Sequence, residues 1–494
     1  MILRGAELDG DPELVADVAV IGTGAGGAVA AAELAGRGAR VVVLEEGAYR
    51  RGADFDARPL AMIPLLYRGH GLQAAVGNAV IPIPTGRCVG GTTTINSGTC
   101  YRAQERIFAK WEDEFGLRGL RDELAPCYER VERAIAVGPV PAELLGNGER
   151  LAADACARLG WRAAPIPRNA AGCRGTGICA FGCPRDAKQA MHVSYVPRAL
   201  DAGATLVTGA RAERVETAAG AATGVSAVLV DDAGRRTGRR LRVRAGRVVV
   251  AAGALATPGL LARSGLAPRG SHVGRHLHVH PAVRVLALMG ERVAAWEGVP
   301  QAWHVSEFEA DGIFLQGQFT PPTLHAPNLP GFGLAHKQRM AAYERMTSFG
   351  ALISDTSEGR VLAGGAVLYW MRRGDVAKLR RAIVLVARLL FEAGAREVYP
   401  GVRRHPVLRG AADLAALEGA RVRAGDFDMM AFHPMGTARM AADPARGAVG
   451  RDGALFAWRG VHVADASLLP SSCGVNPQLT IMALASHVAE RLAR

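Results

Sequence analysis

Three cysteines lie close together in the glycine-rich segment 172–184, where they could bind a metal. Cys173, Cys179 and Cys183 have the spacing C-x5-C-x3-C and are followed by proline, which resembles a ferredoxin run that lacks one cysteine. Three thiolates suit a three-iron cluster, whereas zinc needs a fourth ligand, for which His192 is the nearest candidate. The spacing leaves three interpretations open: an iron–sulfur cluster, plain buried thiols in a tight loop, or zinc.

A second group of residues is suited to binding phosphate. The segment "DVAVIGTGAGGAVAAAELAGRGARVVVLEEG" has an apolar strand, a glycine triplet, an alanine-rich helix and a second apolar strand that ends at an acid. The first glycine permits a tight turn, the second lets the backbone approach a pyrophosphate, and the third lets the helix pack closely on the strand. The acid can accept hydrogen bonds from ribose hydroxyls. The pattern predicts a dinucleotide site at Gly22, Gly24, Ala25, Gly27 and Glu45.

Two other clusters are weaker candidates for chemistry. His276, His278 and His280 alternate in "HLHVH", which would place them on one face of a strand as metal ligands. No carboxylate or thiolate lies near them in sequence, so we do not expect a metal there. Cys88, Cys100 and Cys473 are expected to be small buried side chains, because cysteine is among the most buried residue types.

The elements that must position these residues can be recognised by their periodicity. The runs "AVRVLALM" and "VLYWM" are typical of strands, and "RRAIVLVARLLFEAG" is typical of an amphipathic helix. A chain of 494 residues is long enough for two or three domains. The sequence therefore predicts an α/β nucleotide-binding domain together with a second domain of mixed α+β structure.

Composition and charge exclude several classes of protein. The net charge is +13, but it comes from dispersed arginines without a basic block, so we expect no nucleic-acid partner. The acidic first segment lacks the apolar core of a secretory signal, and the apolar stretch 382–391 is too short to span a bilayer. We therefore expect a cytoplasmic protein with reduced cysteines and no transmembrane segment, which leaves a peripheral membrane contact open.

Three further stretches resemble the glucose–methanol–choline (GMC) oxidoreductases: "TGRCVGGTTTINSGTCYR", "RVVVAAGALATPGLLARSGL" and "VHVADASLLPSSCGVNPQLTIMALASHVAERL". The resemblance implies FAD in a Rossmann-like domain. It implies that Ala212 lies near the adenine and Asp465 near the ribityl–phosphate part. Ile95 replaces the histidine that attaches FAD covalently in some members, so the flavin should be non-covalent. The residues expected at the flavin are Arg87, Gly90, Gly91, Thr92, Asn96 and Pro477.

The resemblance also implies a division of the chain. Residues 1–105, 190–285 and 425–494 would form one discontinuous FAD-binding domain. Residues 106–189 and 286–424 would form the substrate-binding domain, whose sheet would cover the flavin.

The catalytic pair implied by the resemblance is His433 and Asn476. A neutral imidazole can accept the hydroxyl proton while hydride moves to flavin N5, and an amide can donate a hydrogen bond to the developing alkoxide. Both residues have a structural alternative. His433 could be a buried core histidine, and Asn476, followed by Pro477, could be the N-cap of a helix.

The stretch from "GCP" to "AKQAMHVSYVPRAL" resembles the long-chain alcohol oxidase branch, although Asp186 and residues 189–191 depart from its pattern. This favours an apolar alcohol as substrate, with oxygen or an external carrier as electron acceptor. The alternatives are a cluster-containing dehydrogenase that acts on a sugar or polyol, and a flavin lyase or photoenzyme on the same scaffold.

Overall fold

The computed structural model describes residues 1–493, and a parallel sheet forms the centre of its nucleotide-binding part. Neighbouring side chains along its central strands are buried and mostly apolar, because both faces of the sheet are covered, as is usual in parallel sheets. In spatial order the strands are Ile2–Arg4, Thr205–Thr208, Val41–Glu45, Val18–Ile21, Arg247–Val250 and Val461–Val463. The two strands predicted around the glycine triplet are confirmed, and they pair in parallel.

A mixed four-stranded sheet lies next to the parallel sheet. Three of its strands are antiparallel, and the fourth joins in parallel. In spatial order they are Ala210–Ala218, Ala221–Val230, Arg236–Arg244 and Glu13–Val15.

An antiparallel sheet forms the second part of the molecule, and one of its faces lines the cavity described below. Its strands are, in spatial order, Ala395–Tyr399, Ala282–Met289, Met346–Ile353, Ile313–Gly317, Trp303–Val305 and Ala163–Pro165, and Met429–Met430 pairs with the second of them. Helix Arg373–Glu392 packs on this sheet through buried residues at helical spacing, including Leu379, Ile383 and Val386. Smaller sheets comprise strands Arg360–Val361, Val367–Tyr369, Ala74–Gly77 and Val80–Pro82, and strands Val137–Pro139 and Pro167–Asn169.

The helices complete both parts. Helix Ala25–Ala35 packs on the C-terminal helix Gln478–Leu492, which in turn packs on Leu120–Ala134. The other α-helices are Pro59–Leu66, Thr92–Ile95, Glu105–Phe115, Asn147–Leu159, Tyr195–Asp201, Thr257–Arg263, Pro322–His325, Gly333–Ala341 and Ala411–Gly419. Within residues 1–493 there is no helix with the length and apolar character needed to cross a membrane.

The architecture confirms the predicted α/β nucleotide-binding fold with a second α+β part. Three elements depart from the predicted domain boundaries. Helices Glu105–Phe115 and Leu120–Ala134 belong to the same buried core as the parallel sheet, although the sequence assigned 106–189 to the substrate-binding domain. Strand Ala282–Met289 lies entirely in the antiparallel sheet, although the predicted boundary at 285 divides it.

Candidate active site

A cavity of about 1640 Å³ runs between the carboxyl edge of the parallel sheet and the antiparallel sheet. The carboxyl edge is where ligands bind in open α/β sheets. Pockets for one drug-sized ligand have about 300–1,000 Å³, so this cavity has room for a dinucleotide and a substrate together. The nucleotide end is lined by Gly22, Glu45 and Ala212, and the opposite end by His433 and Asn476.

The glycine triplet forms the turn predicted for it. Gly22 has φ +99°, and a Cβ there would lie 2.4 Å from the Ala251 carbonyl oxygen. A Cβ on Gly27 would lie 2.1 Å from the Gly22 oxygen, which explains the close packing of helix and strand. Gly24 and Ala25 line the cavity, and a Cβ on Gly24 would meet no atom within 4 Å. This backbone is therefore open for a phosphate to approach the helix N-terminus.

Two buried carboxylates hold the loops around the nucleotide end. Glu45 accepts hydrogen bonds from the Thr23 backbone N–H at 3.0 Å, from Thr23 Oγ1 at 2.6 Å and from the Gly47 N–H at 2.8 Å. Asp465 accepts from the Gly253 N–H at 2.8 Å and from Thr257 Oγ1 at 2.5 Å. Burial raises the pKa of both carboxyls, and these hydrogen bonds oppose that effect.

The predicted flavin residues divide into two groups. Gly91, Thr92, Asn96 and Pro477 line the cavity. Arg87 lies away from it, because its guanidinium donates to the Asp232 carbonyl at 2.9 Å on the exposed side of the loop. Gly90 lies in the loop before helix Thr92–Ile95, and its N–H donates to Thr23 Oγ1 at 3.0 Å. The structure thus gives these two residues a role in shaping the loop.

Asn96 is held by a residue that the sequence analysis did not identify. Its Nδ2 donates to Gln478 Oε1 at 2.7 Å, and Gln478 also lines the cavity. Gln478, the first residue of the C-terminal helix, thereby fixes the position of the Asn96 side chain. Its place directly after Pro477 in the C-terminal motif was the signal that could have found it.

His433 and Asn476 meet at the far end of the cavity. Asn476 Nδ2 lies 3.2 Å from His433 Nε2 and donates to it, while Asn476 Oδ1 and His433 Nδ1 are buried without a hydrogen-bond partner. The helix begins at Gln478, Pro477 occupies the cap position, and no side chain caps the helix. The alternative interpretation of Asn476 as an N-cap is therefore wrong, and its amide faces the imidazole.

His280 lies beside this pair, and the sequence analysis had considered it only as a metal ligand. Its ring centroid is 5.6 Å from that of His433, and its Nε2 accepts from the Gly474 N–H at 3.2 Å. Burial lowers the pKa of His433 to about 3, with His280 as a further cause, and burial lowers that of His280 to about 4. Both imidazoles are therefore neutral near pH 7.

The alternating histidines do not lie on one face of a strand. His276 and His280 have φ of +58° and +50°, which a strand does not adopt, so the predicted shared face is wrong. His276 Nδ1 is 2.8 Å from Glu358 Oε2, whereas His278 Nδ1 is 3.7 Å from Asp355 Oδ2. His278 Nε2 also lies 3.9 Å from Glu358 Oε1, so both of these histidines lie beside Glu358.

The structure does not support the iron–sulfur prediction. Among residues 1–493 no group of three or more His, Cys, Asp or Glu side chains is arranged to hold a metal ion. Cys173 packs in a small apolar cluster with Val140 and Val299, whereas Cys179 Sγ accepts from Arg168 at 3.2 Å. Cys179, Cys183 and Cys173 are all partly exposed free thiols. Cys88, Cys100 and Cys473 are buried, as predicted.

Profiles of known families match most of the chain. The profile described as GMC oxidoreductase matches with its N-terminal part at 63–282 and with its C-terminal part at 360–485. The chain belongs to the GMC oxidoreductase family. A profile described as FAD binding domain matches 17–64, which contains the glycine triplet and Glu45.

Three relatives of this GMC oxidoreductase cover nearly the whole chain. An uncharacterized GMC-type oxidoreductase of Mycobacterium tuberculosis is 44% identical over 96% of this chain and 75% of its own. A long-chain-alcohol oxidase of Arabidopsis thaliana is 27% identical over 97% of this chain and 68% of its own. The 6'''-hydroxyparomomycin C oxidase of Streptomyces lividus is 28% identical over 98% and 92%.

Solved structures agree in fold. Pyridoxine 4-oxidase from M. loti superposes with a TM-score of 0.68 at 21% identity, covering 96% of this chain and 98% of its own. A variant of Aspergillus oryzae formate oxidase gives 0.68 at 17% identity, covering 97% and 98%. The predicted Rossmann-like domain with a cap is therefore confirmed.

FAD is the cofactor of this family member, and the residues present fit it. The open backbone at Gly24 leaves room for the pyrophosphate next to the N-terminus of helix Ala25–Ala35. Glu45 Oε1 accepts only one hydrogen bond, so a lone pair remains for a ribose hydroxyl. Ile95 also lines the cavity, and its aliphatic side chain has no atom suited to covalent attachment.

Proposed function

We propose that this GMC oxidoreductase oxidises an alcohol to an aldehyde or ketone, with His433 as the base and Asn476 as the partner of the alkoxide. The observation that supports this most directly is the 3.2 Å contact between Asn476 Nδ2 and His433 Nε2. Both residues line the cavity that also contains the dinucleotide loop. A base and a donor at one point of a cofactor cavity are what removal of a hydroxyl proton requires.

The hydrogen-bonding capacity of the pair fits these roles. Asn476 Nδ2 carries two hydrogens, of which one faces His433 and the other remains for the substrate oxygen. His433 Nε2 accepts rather than donates in this contact, so it carries the lone pair that a base needs. On binding, the substrate hydroxyl would take the place of the Asn476 amide at this lone pair and give its proton to Nε2. Because burial keeps the imidazole neutral, it accepts a proton only as negative charge develops on the neighbouring oxygen. Bound FAD supplies the acceptor for the hydride that leaves the carbinol carbon.

We propose a substrate with a substantial apolar part. The substrate end of the cavity has an apolar group of side chains: Phe319, Leu324, Met429, Met430 and Phe432. The Arabidopsis relative, named a long-chain-alcohol oxidase, supports the same class. A polyol is the second candidate, because Gln301, Gln316 and Gln318 also line this end and the Streptomyces relative is named for a hydroxyparomomycin. Oxygen or an external carrier would accept the electrons.

The test is anaerobic titration of the purified holoenzyme with alkanols, aromatic alcohols and polyols, followed by flavin absorbance. Loss of the yellow colour with an alcohol supports alcohol oxidation, and the most effective alcohol identifies the class. If every alcohol leaves the flavin oxidised, the proposal is refuted and a lyase or photoenzyme becomes the better hypothesis. Catalytic turnover in air, compared with turnover with a dye under argon, distinguishes an oxidase from a dehydrogenase.

A further inference from the structure

Arg284 is a cationic side chain at the substrate end of the cavity. It lies on strand Ala282–Met289, two residues after Ala282, so both residues are on the same face of the antiparallel sheet. Both line the cavity. Ala282 pairs with Met430, which lies only three residues before His433. Arg284 is therefore the next residue on this face after Ala282, whose pairing partner belongs to the segment that carries the proposed base.

Within residues 1–493 the guanidinium has no charged partner. Its only hydrogen bond is a long one, 3.4 Å from Nη1 to Thr320 Oγ1, and Nε is buried without any partner. Burial lowers the pKa of Arg284 to about 10, and no neighbouring acid opposes this effect. The group is therefore still charged near neutral pH. Arg284 is partly buried and faces the cavity, and a charge that is largely withdrawn from water is normally paired.

The sheet leaves space around this charge. Arg284 pairs with Gly350 on the next strand, and Gly350 pairs with Gln316 on the strand after that. A Cβ on Gly350 would lie 2.3 Å from Gln318 Nε2, so the amide of Gln318 occupies the space beside this glycine. Gln316 Oε1 is buried without a hydrogen-bond partner. This row and the neighbouring Gln318 thus present a planar cation and two amides to the cavity.

Two acids in this part of the fold do not neutralise Arg284. Asp428 lines the same cavity, but the cation that acts on its carboxyl is Arg403. Glu149 lies behind the sheet next to Gly317, and burial raises the pKa of its carboxyl to about 8, so it is largely neutral. These two carboxyls therefore leave the charge of Arg284 available to a ligand in the cavity.

We propose that Arg284 binds an anionic oxygen group of the substrate, a carboxylate or a phosphate, so that the enzyme acts on hydroxy acids or hydroxyalkyl phosphates. That the substrate is an alcohol rests on the proposed function above. The anion site does not depend on it. The planar guanidinium matches a carboxylate or phosphate with two parallel hydrogen bonds. The apolar residues around it would contact the carbon chain between the anion and the hydroxyl.

The first experiment measures binding without turnover. Oxidised holoenzyme is titrated with saturated carboxylates from propanoate to octanoate, with the alkyl phosphates and with the corresponding neutral amides, and flavin absorbance reports occupancy. Arg284→Met should weaken binding of the anions about 10- to 100-fold and leave the amides unchanged. Arg284→Lys should retain part of the affinity. Arg403→Met is the matched control, because Arg403 is an exposed arginine at the same cavity, and it should bind the anions as the wild type does.

Thermal unfolding separates a ligand site from a structural one. Removing an unpaired buried charge should leave the melting temperature of Arg284→Met unchanged or raise it. A lower melting temperature, with equal loss of anion and amide binding, would show a structural residue and overturn the proposal. Equal binding of anions and amides to the wild type would also overturn it. The anion of the substrate is identified as the class, carboxylate or phosphate, whose binding is weakened more by Arg284→Met.

The second experiment uses hydroxy acids, hydroxyalkyl phosphates and neutral alcohols of equal length as reductants. Faster flavin reduction by the anionic alcohols, lost in Arg284→Met, supports the inference. Equal reduction by neutral alcohols contradicts it while leaving the proposed function intact. If the anions bind through Arg284 but no alcohol reduces the flavin, the anion site stands and the proposed function fails.

Discussion

Replacing Asn476 with Ala should slow flavin reduction by about 10²–10³, the usual effect of removing one donor to a developing oxyanion. The structure isolates this role. Asn476 Nδ2 donates to His433, Oδ1 has no partner, and the side chain does not cap the helix that begins at Gln478. Truncation should therefore change the free energy of unfolding by about 1 kcal/mol or less, since only one net hydrogen bond is lost.

The assay is anaerobic stopped-flow reduction of the flavin at saturating alcohol, together with flavin content and melting temperature. Asn476→Asp is the matched variant, because it keeps the shape but presents negative charge to the alkoxide, and it should be slower still. If Asn476→Ala reduces its flavin at the wild-type rate, the amide has no role in the chemistry. If its rate falls only in proportion to lost flavin or lost stability, the residue is structural.

Three further predictions follow from the same contacts. Glu45→Ala should lose FAD on dialysis, because it removes the ribose acceptor and the bonds that hold Thr23 and Gly47; full flavin content in the dialysed variant would contradict the assignment. Glu149→Gln should stabilise the protein by a few kcal/mol at pH 9 and by little at pH 4. Burial raises the pKa of Glu149 in the folded protein to about 8, so the wild type loses stability as the pH rises from the pKa of the unfolded state through about 8. Melting temperatures with the same pH dependence in the two proteins would refute this. Acid denaturation should release all the flavin into the supernatant, because Ile95 has no atom that forms a covalent bond to it, and a yellow pellet would refute that.

The nucleotide end could be predicted from sequence because its signal is local. A parallel strand covered on both faces must be apolar throughout, so Val18–Ile21 and Val41–Glu45 are visible as runs. The glycines at 22 and 27 are required by atoms only a few residues away or on the neighbouring strand. The periodicity of helix Arg373–Glu392 is similarly local.

The parts that could not be predicted depend on contacts between distant segments. Helix Leu120–Ala134 has an apolar face, but nothing in its sequence says that this face packs on the C-terminal helix. The contact of His280 with His433 arises only because two segments distant in sequence pair with each other in the fold. The spacing of the cysteines suggested common ligands, yet Cys173 packs into an apolar cluster and Cys179 contacts Arg168. Spacing cannot show which way each side chain turns.

The unpaired charge of Arg284 was also invisible in the sequence. It is one of many arginines in a basic chain, and its strand "AVRVLALM" is otherwise apolar. Its lack of an acidic partner becomes apparent only when all its neighbours are known. The substrate class is therefore better argued from the structure than from composition.

The most direct test of the central claim is the rate of anaerobic flavin reduction in His433→Ala, measured with the best alcohol of the panel and with added imidazole. Loss of a general base predicts a rate about 10²–10⁴ lower at unchanged FAD content, and exogenous imidazole should restore part of it. His433→Ala that reduces its flavin at the wild-type rate, without imidazole, would contradict the account.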